Sequence, residues 1–315
     1  MKRQPRPALL VVVGPTGSGK SDLAHEVARL RRGEIVSADA FAVYRGLDIG
    51  TAKPSAERRA EVPYHLIDMA DPAESFSAGL WGGRAREIIE TIACRGRLPI
   101  VCGGSGFYLS ALLSGLPPGA ATDTRLRSAL TRWARGRGDA AHRFLSLNDP
   151  LAASRIPPGN LRYMLRALEI LLVTGRKASD RTPRDDGWAR RFRLIRMGLA
   201  PSREDLYARI AARVRQMLQA GWDAEVRRLI EGGVSLESNA FRAIGYREVA
   251  DWVEGRADRE ETEKRIVTAS RQLAKRQKTW FRRQSGIEWV APEEALTVAL
   301  ARLDEGETEK EAEGR

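Results

Sequence analysis

The chain has 315 residues, 43% of them apolar or aromatic, enough for one large domain or an α/β domain carrying a smaller insertion, and wholesale disorder is excluded. Its formal charge of +12 favours a polyanionic partner, either nucleic acid or an anionic membrane surface. Two cysteines, Cys94 and Cys102, are spaced neither as metal ligands nor as a redox pair, which points to a reducing, cytoplasmic compartment. No stretch approaches the roughly 20 apolar residues of a membrane span. The basic N-terminus leads through a short apolar run into a glycine loop, not to a cleavage site, so it does not read as a signal peptide.

Leu9 to Val13 reads as a buried strand, and Gly14, Pro15, Thr16, Gly17, Ser18, Gly19, Lys20 and Ser21 follow it directly. This is G-x-x-x-x-G-K-[ST] in its required setting, strand before and helix after. The glycines let backbone N–H groups face phosphate oxygens, Lys20 adds a point charge, and the Ser21 hydroxyl is placed for a Mg²⁺ that the phosphates share. The commonest occupant of such a loop is a nucleoside triphosphate. A helix is predicted over Ser21 to Leu30, strands over Glu34 to Ser37 and Leu66 to Asp68, a helix over Ala85 to Ala93 and a strand over Leu98 to Cys102. That order is βαβ with a parallel sheet. A helix then runs through Phe107 to Leu113 and stops at Gly115 and the Pro117-Pro118-Gly119 break.

Arginine-rich helical segments, Leu126 to Trp133 and Arg162 to Leu172, make up a stretch without strand character. Strand character returns at Phe192 to Met197, followed by helices over Arg203 to Ala220, Trp222 to Glu231, Tyr246 to Glu254 and about Glu260 to Arg283. The expected fold is therefore α/β: a P-loop core with a parallel sheet flanked by helices, formed by 1–118 and 190–303, with a helical insertion domain over 119–189. Residues 304–315, acidic and nearly free of apolar side chains, are expected as a disordered, solvated tail.

Asp39 follows the second strand pattern. In an open parallel sheet, residues beyond the carboxyl ends of neighbouring strands share one crevice, so Asp39 is expected beside the phosphate loop, where it could accept a proton from a nucleophile. An Asp closing a strand–loop junction by an Asx turn explains it equally well. The strand at Leu98 to Cys102 ends in Gly103 without the metal-holding Asp of a motor ATPase.

Between Lys264 and Arg283 stand eight Lys or Arg and no acid; Arg271, Lys275, Lys278 and Arg282 recur at helical spacing. They form a stripe about 16 Å long, comparable to a few phosphates of a nucleic-acid backbone. Trp280 and Phe281 beside it are read mainly as core anchors. A second basic group, Arg125, Arg127, Arg132, Arg135 and Arg137, lies in the insertion. Neither helix pairs its basic stripe with an apolar face, so nucleic acid is favoured over a membrane. Arg209 and Arg213 share a helix face; taken alone, each reads as solvated.

Together these residues resemble the tRNA dimethylallyltransferases. The resemblance rests on Gly14 to Ser21, Tyr44 to Pro54, His65 to Asp68, Gly103 to Tyr108, Arg166 to Glu169, Ala243 to Glu248 and Arg271 to Trp280. It implies transfer of a dimethylallyl group from dimethylallyl diphosphate to N6 of the adenosine at tRNA position 37, in tRNAs reading codons that begin with U, with diphosphate released. On that resemblance Thr16, Lys20, Arg213 and Ser21 with Mg²⁺ hold the diphosphate, and Asp39 takes the amine proton. The resemblance also implies tRNA contacts at the anticodon stem-loop by Asp39, Ser105, Arg127, Arg162, Arg166, Arg242 and Arg247, to which the basic stripe adds Arg271, Lys275 and Lys278, and a cytoplasmic monomer is expected.

Four positions depart from the family pattern. Asp39-Ala40-Phe41-Ala42 stands where Asp-Ser-x-Gln is usual, Ser105 replaces Thr, and Tyr163 occupies a common Arg position. The competing readings are a P-loop small-molecule kinase, an adenylate-type prenyltransferase acting on free nucleotide, and an RNA-binding protein without catalysis.

Overall fold

The structure is a computed structural model that describes residues 6–116, 123–181 and 185–314, without the side chains of Thr124 and of 306–314. It divides into two compact units, one formed by 1–113 with 187–315 and the other by 114–186.

The first unit is built on strands β1 (Ala8–Val13), β2 (Gly33–Ser37), β3 (Tyr64–His65), β4 (Leu98–Gly103), β5 (Arg193–Leu199) and β6 (Glu288–Val290). All pair in parallel in the order β3-β2-β4-β1-β5-β6. The Leu9 to Val13 run is almost wholly buried because β1 lies inside the sheet, hydrogen-bonded to β4 on one side and β5 on the other. Helices α1 (Lys20–Leu30), α2 (Ala56–Glu61), α3 (Ala78–Cys94) and α4 (Gly106–Leu113) lie between the strands in sequence. After the second unit come α9 (Arg203–Gln219), α10 (Trp222–Glu231), α11 (Tyr246–Val253), α12 (Arg259–Arg282) and α13 (Ala295–Gly314), numbered so that α5 to α8 fall in the insertion. Side-chain caps start several of them: Ser77 on α3, Ser202 on α9 and Asp258 on α12 each accept a first-turn N–H.

Register places the functional loops. Val13 lies opposite Gly103 and Gly198, and Ser37 lies opposite Cys102, so the segments leaving β1, β2, β4 and β5 emerge at one edge of the sheet. Trp81, fully buried on α3, donates its indole N–H to the Ser37 carbonyl at 2.9 Å and stacks on Tyr108 at 4.7 Å, anchoring the end of β2 to α4.

The second unit holds α5 (Thr124–Ala134), α6 (Gly138–Asn148), α7 (Pro150–Arg155) and α8 (Leu161–Thr174) around Leu130, Ala134, Leu145, Met164 and Leu168. It is helical, as the missing strand pattern suggested, although α6 and α7 were not anticipated.

Three expectations are corrected. The short strand is Tyr64–His65, not Leu66 to Asp68: Leu66 and Asp68 have positive φ, which ends extended pairing. The short strand β6 and the helix α13 were not foreseen. The segment from Asp304, expected as a disordered tail, continues α13 to Gly314, because its Glu, Lys and Ala residues extend a helix already nucleated by buried Ala295, Ala299 and Leu303.

Candidate active site

The phosphate loop turns between β1 and α1. Gly19, the residue before α1, adopts φ +89°, a conformation that favours glycine and lets the chain enter the helix while leaving first-turn N–H groups uncapped by any side chain. Ser18 is fully buried, and its Oγ has no hydrogen-bond partner. Lys20 donates to the Pro15 carbonyl at 3.2 Å, curling back over the loop.

Asp39 follows β2 by two residues. Its Oδ1 accepts from the N–H of Phe41 at 2.8 Å and of Ala42 at 3.2 Å, so the Asx turn is real. That turn does not exclude a chemical role, because Oδ2 takes no hydrogen bond from the described residues. Asp39 also lies within electrostatic reach of both Lys20 and Arg213. Arg213, for which solvation was the reading from its helix alone, is only partly exposed and faces Asp39 and Asp22 from α9. Burial is the main force lowering the Lys20 pKa and the nearby Arg213 cation adds to it, while Cys102 and Asp39 oppose the shift. Arg213 is likewise lowered by burial, with Asp39 and Asp22 opposing. Two recessed cations beside a helix start that no side chain caps give the loop a positive face, with Asp39 and Asp22 alongside. Burial pushes the Cys102 thiol, on β4 beside Lys20, up to about 11, so it stays protonated near neutral pH.

Gln277 of α12 was not singled out by the sequence, although it lies in a segment that carries the resemblance. Its Oε1 accepts the Thr16 N–H at 2.8 Å, and its Nε2 donates to the Gly104 carbonyl at 3.0 Å. Trp280 packs over Gly106 so closely that a Cβ there would collide with its ring, and Phe281 is buried, in keeping with their reading as anchors. Ser105 donates its N–H to the Ala38 carbonyl at 3.2 Å, which places it at the Asp39 turn.

A second network shapes the segment after Asp39. The buried Glu225 accepts the N–H of Asp48 at 2.9 Å and of Ile49 at 2.7 Å, and the Tyr246 hydroxyl at 2.7 Å. Lys53, 1% exposed at its side chain, donates to the Tyr44 carbonyl, Asp48 and Asp68.

The basic residues separate by environment. Lys275, Arg276 and Arg282 are exposed on α12, Lys278 is partly exposed, and Arg271 is turned against α9, its guanidinium 4.8 Å from the Tyr207 ring. Arg242 is exposed, and Arg247 pairs with Glu237 at 3.2 Å. In the second unit Arg125, Arg127, Arg132, Arg135, Arg137 and Arg162 are exposed. Arg127 and Arg166 converge on the fully buried Glu169, at 2.6 and 2.8 Å.

Ser21 is exposed in the first turn of α1. The described residues hold no cluster of three or more His, Cys, Asp or Glu suited to a metal. Mg²⁺ commonly takes most of its oxygens from phosphate and water with one or two from protein, so a hydroxyl donor at the phosphate loop fits it.

A parallel sheet whose strand ends gather a glycine loop, Lys20, Arg213 and the Asp39 carboxylate defines a P-loop-type protein. The IPP transferase family model matches residues 42–284. The tRNA dimethylallyltransferase of Thermomicrobium roseum is 45% identical, over 91% of this chain and 86% of that protein. That of Geobacter sulfurreducens is 40% identical, over 90% and 91%. Among solved structures, the full-length tRNA isopentenylpyrophosphate transferase of Bacillus halodurans aligns with a TM-score of 0.71 at 34% identity, covering 98% of this chain and all of that one. A eukaryotic dimethylallyltransferase described as acting on tRNA aligns with a TM-score of 0.76 at 26% identity, over 90% of this chain and 74% of that one. The chain belongs to the IPP transferase family.

Proposed function

We propose that this protein transfers a dimethylallyl group from dimethylallyl diphosphate to N6 of the adenosine at position 37 in the anticodon stem-loop of tRNA, in tRNAs reading codons that begin with U, releasing diphosphate. The observation that carries this reading is the grouping of Asp39 with Lys20 and Arg213 at the mouth of the phosphate loop, in a chain whose relatives are named tRNA dimethylallyltransferases.

Lys20, Arg213 and the free N–H groups at the start of α1 would hold the diphosphate, and the charge that grows on it as the allylic C–O bond breaks is met by cations already recessed there. Ser21 would hold Mg²⁺ together with the diphosphate, and the ion when bound supplies further neutralisation of the leaving group. Asp39, oriented by the Phe41 and Ala42 amides, would take the proton of the exocyclic amine at Oδ2 as nitrogen bonds to carbon. The adenine must leave its stack to reach that carboxylate, which suits a protein gripping RNA with exposed Lys275, Arg282 and Arg162. Ala40 and Ala42 bring no polar side chain to the base, so the carboxylate and backbone of this turn carry its recognition. The reaction needs one chain, and a cytoplasmic monomer is the simplest form.

Mass analysis of nucleosides from unmodified tRNA, incubated with the purified protein, Mg²⁺ and labelled dimethylallyl diphosphate, tests this. Label on N6 of adenosine 37 is the expected result. Phosphoryl transfer from ATP without prenylation would instead make the protein a kinase, and prenylation of free AMP in preference to tRNA would move the acceptor to free nucleotide.

A further inference from the structure

The amino ends of the strands, at the edge of the sheet opposite the phosphate loop, border a cavity of about 400 Å³. Arg6 precedes β1, Arg31 follows α1, Arg97 precedes β4 and Arg193 opens β5; all four line it, and none of its described lining residues is acidic. The six residues of β1, at about 3.3 Å each, put this cavity roughly 20 Å from the phosphate loop.

The four guanidiniums are under-compensated. Arg31 pairs with Asp304. Arg97 pairs with the buried Glu34 at 3.2 Å, but Glu34 already serves Arg95 at 3.0 Å and His65 at 2.7 Å. Arg193 spends its N–H groups on the neutral carbonyls of Arg302 at 2.8 Å and Leu303 at 2.9 Å. Arg6 makes no hydrogen bond or ion pair with the described residues. The Arg31 Nε is buried and lacks an acceptor. A buried N–H without an acceptor, beside excess positive charge, is stabilised by an anion.

We propose that this cavity binds a small molecule through a di- or triphosphate group. Its volume lies in the ordinary range of ligand sites, and the planar fork of arginine matches phosphate oxygens two at a time. A single carboxylate would leave part of the remaining charge unmet, which favours a multivalent phosphate. The proposal does not depend on the prenyl-transfer reading, since it uses none of the residues of the phosphate loop.

The test is calorimetric titration of the full chain with inorganic triphosphate at constant ionic strength, for the wild type, Lys20→Met, Arg6→Glu, and Arg6→Glu combined with Arg193→Gln. Two sites are expected in the wild type. Lys20→Met should weaken the loop site and spare the cavity, whereas Arg6→Glu should weaken the cavity site about tenfold and the double variant more, with the loop site unchanged. Arg6 has no partner to lose among the described residues, so Arg6→Glu decides the matter even if the double variant is unstable. A single site abolished by Lys20→Met, or two sites both indifferent to Arg6→Glu, would overturn the proposal.

Discussion

The amide of Thr16, in the phosphate loop, donates at 2.8 Å to the side chain of Gln277, on the helix that carries the exposed basic residues. Because the same side chain also holds the Gly104 carbonyl, one glutamine ties α12 to the loops leaving both β1 and β4. Gln277→Leu keeps much of the volume but leaves a donor and an acceptor unmatched, a cost of about 1–3 kcal/mol for each such group. The expected kinetic result is a KM for dimethylallyl diphosphate raised about tenfold with tRNA affinity within about threefold. Steady-state kinetics and filter binding measure the two, and an equal loss in both would place Gln277 in RNA binding instead.

Asp39→Asn preserves an acceptor for the Phe41 and Ala42 amides, so the turn should persist while proton acceptance is lost. Turnover should fall by about 10²–10⁴, the usual contribution of a general base, with tRNA affinity nearly unchanged. Single-turnover prenylation checks this, and near wild-type rates in Asp39→Asn would remove Asp39 from the chemistry.

Lys20 has a pKa below the ordinary 10.5 of lysine, chiefly through burial. A bound anion favours its charged form and so raises that pKa, which means binding takes up a proton. Diphosphate affinity should therefore be full below the lowered pKa of the free protein and decline as pH rises through it, beginning below 10.5. Calorimetry across the alkaline range in two buffers of different ionisation enthalpy reads both the affinity and the proton uptake. Affinity that is flat to the ordinary lysine pKa would show that Lys20 is not the titrating contact.

Glu225 lies 176 residues along the chain from Ile49, in the segment it organises, yet it accepts the amides of Asp48 and Ile49 and the buried Tyr246 hydroxyl. Burial raises the Tyr246 pKa most strongly and the adjoining Glu225 carboxylate adds to it, so the hydroxyl remains a donor at all working pH values. Glu225→Leu strands these donors, and with about 1–3 kcal/mol for each, a loss of at least about 3 kcal/mol is expected. Urea unfolding should show a lower midpoint with an unchanged slope.

Acid should affect the second unit through Glu169. Burial alone would raise its pKa, but Arg127 and Arg166 more than offset that and hold the carboxyl below the usual 4.5. A depressed carboxylate contributes stability above its unfolded pKa and loses it as pH falls through the folded one, so this contribution should decline as pH drops below 4.5 and be gone once the lower folded value is passed. Glu169→Gln should flatten that part of the acid-unfolding curve followed by circular dichroism.

The phosphate loop, the parallel sheet, the helical insertion and the length of the basic helix were legible in the amino-acid order because each depends on local causes. An apolar run meeting Gly14 to Lys20 has few alternative structures, and the 3.6-residue period of α9 and α12 is written in consecutive residues. Leu66 to Asp68 looked like a strand because apolar content says nothing of the positive φ that Leu66 and Asp68 adopt.

What the order of residues could not express is which distant groups share one space. Asp39 read equally as a turn residue or a base, and packing makes it a turn residue with one oxygen left over beside two cations from α1 and α9. Arg127 and Arg166 read as tRNA contacts, and only the tertiary structure shows both drawn to the buried Glu169. Local periodicity and turn chemistry act over a few residues, so the sequence by itself determined most of the elements and the glycine loop between β1 and α1. The partnerships of Gln277 with Thr16, Glu225 with Tyr246 and the arginines around the far cavity span strands and helices, and they were decided by tertiary packing, which sets which polar groups are buried together and must satisfy one another.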